Sequence, residues 1–170
     1  MFVVQSNLAN TYERLGRDDQ ALDLRRDVYS GFLKLNGEAH ETTIHAASDY
    51  ANCLSKLKRH KEAKSLLRKM MPVARRGLGE GHGLTLKMRG FYAQALYTDP
   101  ATTLDALREA VMTLEDAERI ARRVLGGAHP LTVEIESGLR ASRAILSLIT
   151  GEGDVESIRE AVEAMTPGDA

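Results

Sequence analysis

One short phrase that occurs three times constrains this chain more than any other feature of its sequence. The phrase is a histidine with a glycine three residues before it and a threonine three residues after it, and it centres on His40, His82 and His129. An alanine also lies nineteen residues before each of these histidines, at Ala21, Ala63 and Ala110. A fixed period of this length is the signature of repeat architectures, in which each repeat is one supersecondary element. The sequence therefore predicts consecutive repeats with a period of 42 residues and a five-residue insertion in the third.

Apolar residues recur at helical spacing on both sides of a short turn within each repeat. In the first repeat Leu8 and Leu15 precede Gly16, and Ala21 and Val28 follow it. This spacing predicts two antiparallel helices per repeat. A hairpin of this size cannot bury its apolar face alone, so consecutive hairpins are expected to stack into an all-α, right-handed superhelical solenoid.

The predicted helices cover residues 3–15, 18–34, 42–57, 60–77, 84–97, 103–124, 130–149 and 154–165. They make four repeats, at about 3–40, 41–82, 83–129 and 130–165, within a single domain over residues 1–170. The insertion falls in a loop at 98–103. Each glycine of the phrase is expected to end a helix in a left-handed cap, and Pro130 is expected in the first turn of a helix.

The stretch Leu8-Ala-Asn-Thr-Tyr-Glu-Arg-Leu-Gly-Arg-Asp-Asp-Gln-Ala-Leu22, repeated in pattern 42 residues later, resembles the tetratricopeptide repeat. The period, together with the phrase from Leu125 to Thr132, is similar to the kinesin light chain subtype. The resemblance covers residues 3 to 149 and implies helical hairpins whose concave face, lined mainly by the first helix of each repeat, binds extended peptides of other proteins. Arg140 departs from the family pattern, so the fourth repeat is degenerate, and the sequence holds no heptad coiled coil for a motor heavy chain. The subtype therefore describes the repeat and not a role in transport.

Amide side chains recur at one register of successive first helices. In the resembling family an asparagine at this register faces the groove and hydrogen-bonds a peptide backbone, which suits an amide because it both donates and accepts. A hydrogen bond between helices inside the solenoid is the alternative, and both interpretations stay open. With the positions one helical turn away, the candidate groove residues are Ser6, Asn10, Glu13, Ser48, Asn52, Ser55, Gln94 and Tyr97.

No catalytic, metal or cofactor site is expected. The three histidines lie in successive repeats about 10 Å apart, which is too far to share one zinc ion. The glycines between Gly77 and Gly83 follow a helical pattern and not the strand that a phosphate-binding loop requires. No nucleophile is accompanied by a base and an orienting group, so the chain is not expected to be an enzyme.

The charge balance bears on the choice of partner. Lys and Arg number 23 against 24 Asp and Glu, a formal charge of −1, so nucleic acid is an unlikely partner and a protein or peptide ligand is expected. The pairs Arg75–Arg76 and Arg122–Arg123 suit helix C-termini and leave open a basic stripe for acidic peptides or RNA. A single cysteine, with no signal peptide and no long apolar run, predicts a cytoplasmic protein that does not enter membranes.

The two ends of the chain differ in pattern. The first helix has no N-cap and places Val3, Val4, Leu8 and Tyr12 on an apolar edge, which predicts self-association through the N-terminal hairpin or a further repeat. The last helix carries one apolar stripe, formed by Val155, Ile158, Val162 and Met165. The sequence thus favours a non-catalytic interaction scaffold, with a helical-repeat RNA-binding module and a self-associating structural module as alternatives.

Overall fold

The computed structural model describes residues 1–151, which form seven α-helices and no strand within that range. The helices are α1 (Phe2–Arg14), α2 (Asp18–Asn36), α3 (Glu41–Lys56), α4 (His60–Leu78), α5 (Gly83–Tyr97), α6 (Leu104–Val124) and α7 (Pro130–Thr150). Each end lies within two residues of its predicted position, so the helix prediction is confirmed over this range. The eighth predicted helix, 154–165, with its apolar stripe, lies outside the described residues.

The chain divides into two compact units, Met1–Phe91 and Tyr92–Ala170, with the boundary inside α5. In the first unit α1 packs on α2, α2 on α3 and α3 on α4; in the second, α6 packs on α7. Within each unit these helices, which are adjacent in sequence, are therefore adjacent in space, as expected for antiparallel helical hairpins.

Small residues occupy two buried registers of the first three repeats. The alanines nineteen residues before the histidines are completely buried, as are the alanines at one register of the first helix in each of the first three repeats: Ala21, Ala63 and Ala110, with Ala9, Ala51 and Ala93. A larger side chain at such a position has no space to occupy. Arg140, which takes the same register in α7, is exposed.

The two kinds of turn use different backbone conformations. Gly16 turns α1 into α2 with φ 67°, and Lys58 adopts the same left-handed region, with φ 58°, between α3 and α4. At the helix ends Gly37 has φ 80° and ψ 173°, and Gly79 has φ 95° and ψ 160°. The predicted left-handed cap is therefore wrong in its ψ, because positive φ combined with extended ψ is a region that only glycine adopts readily.

The histidine of the repeated phrase is the N-cap of the helix that follows it. The Nδ1 atoms of His40, His82 and His129 accept the backbone N–H two residues further on, at 3.2–3.3 Å. An N-cap side chain satisfies one of the free N–H groups of the first turn. Pro130 follows directly at the start of α7, as predicted. The phrase thus ends one helix and begins the next.

Candidate peptide-binding site

The most unusual residue of the first compact unit is a buried arginine in α2. Arg25 is 4% exposed and occupies the register at which the later repeats place Leu67 and Leu114, both buried in the core. A buried guanidinium is costly unless its charge and its donors are matched. The residues that match it include three of the predicted groove candidates.

The α1 helix supplies three partners to Arg25, and they form the first stripe: Ser6, Asn10 and Glu13. Glu13 Oε1 accepts bonds from Nε at 2.9 Å and from Nη2 at 2.8 Å. Ser6 Oγ accepts from Nη1 at 3.2 Å, and Asn10 Oδ1 accepts from Nη2. The first stripe therefore takes part in an inter-helix hydrogen-bond network, which is the alternative that the sequence left open.

The α3 helix extends this network with charged groups. Asp49 Oδ2 accepts from Arg25 Nη1 at 3.1 Å and lies 3.3 Å from His45 Nδ1. Lys56 Nζ donates to Glu13 Oε2 at 2.7 Å. Positive and negative groups thus alternate across α1, α2 and α3; we call these residues, with Ser6 and Asn10, the Arg25 network.

The network shifts the protonation of its members. The hydrogen bond to Asp49 raises the pKa of His45 and outweighs the opposing effect of burial. Burial alone would raise the pKa of Asp49, but the hydrogen bond and charge of His45, with the charge of Arg25, hold that pKa below its ordinary value. The carboxylate therefore stays ionised at neutral pH, and the imidazole gains a proton more readily than a free histidine does.

The second stripe lies on α3 and comprises Ser48, Asn52 and Ser55. Ser48 is 1% exposed, and the Oγ atoms of Ser48 and Ser55 are buried without a hydrogen-bond partner within residues 1–151. Asn52 is half-buried. In this repeat Leu67 of α4 occupies the register of Arg25, so α4 has no cation at that position to bind these polar groups.

The remaining candidates, Gln94 and Tyr97, belong to the second compact unit. Gln94 is exposed, whereas Tyr97 is half-buried, and burial raises the pKa of its hydroxyl. The structure therefore brings the first and second stripes together in the first compact unit, while these two residues lie in the other unit.

A cavity of about 330 Å³ opens beside the Arg25 network, between α1, α2 and α3. Val28 and Phe32 of α2 contribute apolar walls, and Ser6 and His45 belong both to its lining and to the network. The cavity is large enough for one apolar side chain, and polar side chains of both α1 and α3 contribute to its lining.

One arginine of each basic pair lies beside a carboxylate. Arg75 lies 3.9 Å from Glu80, and Arg122 pairs with Glu118 and, at 2.6 Å, with Glu136. A second cavity, of about 670 Å³, between α6 and α7 is lined by arginines and glutamates together. Carboxylates beside these arginines reduce the positive field that an anionic polymer would meet there.

Neither a cluster of metal-ligating side chains nor a helix able to span a membrane occurs within residues 1–151. No group of three His, Cys, Asp or Glu side chains in that range is placed to hold a metal ion. None of the helices there has the length and apolar character needed to cross a bilayer.

That the first stripe lines a peptide groove stays a prediction, and the sequence did not indicate the residues to which it is hydrogen-bonded. Arg25, His45, Asp49 and Lys56 were not among the candidates. The available signal was Arg25 itself, a charged residue at a register that is leucine in the next two repeats.

These features define a helical repeat protein, and its sequence and fold are similar to those of known repeat proteins. The tetratricopeptide repeat family model matches residues 1–76. A structure of TPR-like repeats from Podosopora anserina, assigned as a kinesin light chain, covers 98% of this chain with a TM-score of 0.75 at 21% identity, and the match spans 76% of that protein. Residues 1–76 therefore match the tetratricopeptide repeat family, and the fold of the chain is similar to that of the kinesin light chain repeats.

Two further solved structures share this fold. BtubC (BKLC) from P. vanneervenii matches 96% of the chain and 60% of its own length, with a TM-score of 0.68 at 16% identity. A point variant of the Podosopora anserina repeats matches 95% and 91%, with a TM-score of 0.52 at 18% identity. At such identities the likeness concerns the fold alone. No curated protein matches the sequence.

Proposed function

We propose that the protein is a non-catalytic scaffold that binds a peptide or partner protein along the first helices of its repeats. Tetratricopeptide repeats are in general protein interaction scaffolds. The observation that carries the proposal is Asn52 of the second stripe, a half-buried amide on α3 that a ligand can reach. An amide both donates and accepts hydrogen bonds, so it can bind the backbone of a partner chain.

An extended peptide suits these groups. Its backbone offers a donor and an acceptor at every residue, which matches the donor and the acceptor of an amide side chain. The cavity beside Val28 and Phe32 would accept one apolar side chain of the same peptide. The proposal also comprises a cytoplasmic location and a single domain of four repeats over residues 1–170.

Asn52→Ala tests the proposal. It should weaken capture of a partner by at least about tenfold while leaving helicity by circular dichroism unchanged, because a groove amide holds the ligand and not the fold. Gln20→Ala, at an exposed amide of α2, is the matched control and should bind normally. Loss of helicity in Asn52→Ala without a selective binding defect would contradict the proposal. Capture that nuclease abolishes would favour the RNA-binding alternative.

A second candidate function, self-association, is favoured by the exposed face of α1. Val3 is 66% exposed, Val4 70% and Leu8 41%, as the sequence predicted. Tyr12 is only half-buried on this edge, and its ring lies 4.8 Å from the guanidinium carbon of Arg17. An apolar helix face of this kind is typical of interaction surfaces.

Sedimentation tests this second candidate. The wild type should form a concentration-dependent dimer that Val4→Glu and Leu8→Glu together abolish. Met112→Glu, at an exposed apolar residue of α6, should leave the dimer intact. A wild type that stays monomeric at all concentrations would contradict self-association without affecting the peptide-binding proposal.

A further inference from the structure

Positive charge is concentrated around one helix of the first compact unit. Residues 56–76, from the end of α3 through most of α4, contain nine Lys and Arg and only one acidic residue, whereas the whole chain contains 23 against 24. The equivalent positions of α2, 42 residues earlier, place Asp19, Asp23 and Asp27 on the exposed surface instead. The basic character of α4 is therefore not a requirement of the repeat.

Helix stability does not account for this charge either. The helix dipole favours Arg75 and Arg76 in the last turn of α4, but it disfavours a cation at the opposite end. Lys61 is an exposed cation of the first turn. Glu62, the acidic residue of that turn, is bound by Arg59 through hydrogen bonds of 2.7 and 2.8 Å. A residue that opposes a local preference in this way points to a role outside the helix.

The exposed residues of α4 form two basic rows with small side chains between them. At 3.6 residues per turn, positions that are seven apart stay on one side of a helix. The first row is Lys61, Arg68 and Arg75, the second row is Lys69 and Arg76, and Ser65 and Pro72 lie between the rows. Successive members of a row are about 10.5 Å apart along the helix axis. We call these seven residues the basic face.

Carboxylates neutralise only part of the basic face. Arg75 has the carboxylate contact described above, and Lys69 Nζ lies 3.0 Å from Glu38 Oε1. Lys61 and Arg76 have no ion pair within residues 1–151. The face therefore keeps a positive charge at each of its two ends.

The spacing of the charges bears on the kind of partner. Duplex nucleic acid carries a charge about every 1.7 Å of its axis, which is much closer than the members of a row. In addition, α4 contains no Phe, Tyr or Trp on which a base could stack, and none of its large apolar side chains is exposed for insertion into a bilayer. A helix with an acidic residue at every seventh position repeats its charge at the same distance of about 10.5 Å.

We propose that the basic face docks an acidic α-helix of a partner protein, in which Asp and Glu recur every seven residues on both sides of a seam of small residues. The seam lies over Ser65 and Pro72, and each acidic row meets one basic row. Flanking charges of this kind set the choice of partner between packed helices. The surface belongs to the second helix of its repeat and does not depend on the proposed peptide site of α1 and α3.

Fluorescence anisotropy with two labelled peptides of 21 residues tests the proposal. Both peptides are based on alanine, which favours helix formation. The heptad peptide carries Glu in two rows beside an alanine seam, and the shuffled peptide distributes the same number of Glu around the helix. In 150 mM NaCl the wild type should bind the heptad peptide at least tenfold more tightly than the shuffled peptide. Equal binding of the two would overturn the proposal.

Two variants with the same change in net charge locate the binding surface. The face variant replaces four exposed cations of α4: Lys61→Gln, Lys69→Gln, Arg75→Gln and Arg76→Gln. The matched control replaces four exposed cations of α2 and α6: Arg26→Gln, Lys34→Gln, Arg108→Gln and Arg119→Gln. The face variant should bind the heptad peptide at least tenfold more weakly than the wild type, and the control should bind it within twofold. An equal loss in both variants would indicate general charge attraction and overturn the proposal.

Further measurements separate the proposal from its alternatives. Asn52→Ala should bind the heptad peptide as the wild type does, because Asn52 lies on α3; a tenfold loss would place the peptide in the groove and overturn the proposal. Tighter binding to a poly(U) of 21 nucleotides, or to vesicles containing phosphatidylserine, than to the heptad peptide would overturn it as well.

A milder variant keeps the test decisive if the face variant fails to fold. Circular dichroism should show wild-type helicity for every variant, because the replaced side chains are exposed. Lys61→Gln with Arg76→Gln breaks no ion pair within residues 1–151 and should weaken binding of the heptad peptide at least threefold. Unchanged binding by this folded double variant would overturn the proposal.

Discussion

Because of the Arg25 network, we expect the effect of Glu13→Gln on the free energy of unfolding to have opposite signs in the wild type and in Arg25→Leu. In the wild type, Glu13→Gln replaces a carboxylate that accepts bonds from Arg25 and Lys56, and hydrogen bonds to charged groups contribute about 1.5–3 kcal/mol each. We expect the loss of the charge to destabilise the fold by about 2 kcal/mol. In Arg25→Leu, by contrast, Glu13 is a carboxylate only 12% exposed that has lost its main partner, so the same change should stabilise the fold by about 1 kcal/mol.

Urea unfolding followed by circular dichroism at 222 nm measures this coupling in four proteins: wild type, both single variants and the double variant. The expected coupling between the two positions is about 3 kcal/mol, well outside the roughly 0.5 kcal/mol within which independent sites add. The Arg25→Leu variant alone loses the charged hydrogen bonds of the network but gains about 1.5–3 kcal/mol from the burial of leucine. The sign of its own change in unfolding free energy is therefore less informative. Equal costs of Glu13→Gln in both backgrounds would refute the network.

Three further outcomes follow from individual residues. Ala63→Leu should overpack a fully buried helix contact and lower the free energy of unfolding by about 1–3 kcal/mol. Ser65→Leu, on the exposed face of α4, should change it by less than about 0.5 kcal/mol. Equal urea midpoints for the two variants would contradict the packing at Ala63. Burial raises the pKa of Cys53 to about 11, so a thiol reagent at pH 8 should modify the folded protein at least about a hundredfold more slowly than the protein in urea. Because its pKa is raised in the folded protein, protonated His45 stabilises the fold below the ordinary histidine pKa of about 6.5. The difference in unfolding free energy between wild type and His45→Gln should therefore decline between about pH 6 and pH 8. A difference that is constant or grows over that range would contradict the pairing of His45 with Asp49.

The helices could be predicted because their signals are local and repeated. The spacing of apolar residues around Gly16 and the recurrence of Ala21 as Ala63 and Ala110 depend on neighbours a few residues away and on a fixed period. The N-cap role of His40 was not predicted, because it depends on a neutral Nδ1 acceptor, and Ser, Thr, Asp and Asn are the residues usually found there.

The candidate site could be predicted only in part. Its residues on α1 and α3 followed from register and family resemblance, but the partners of those residues lie between 12 and 43 positions away. Which polar groups meet across three helices depends on packing and rotamers that no periodicity encodes. Arg25 also shows that a departure from a repeat pattern is itself a signal, because a buried charge at a leucine register must recruit matching groups.

Nuclear magnetic resonance provides the most direct test of peptide binding on the α1–α3 face, and at 18.7 kDa the chain is small enough for it. A peptide selected from a random library for binding to the wild type is titrated into protein labelled with nitrogen-15, and the side-chain amide resonances are followed. The resonances of Asn10 and Asn52 should shift with the same saturation curve, while that of Gln20 on the exposed surface of α2 stays unchanged. Saturable shifts confined to α2 and α4, with Asn10 and Asn52 unmoved, would contradict the account.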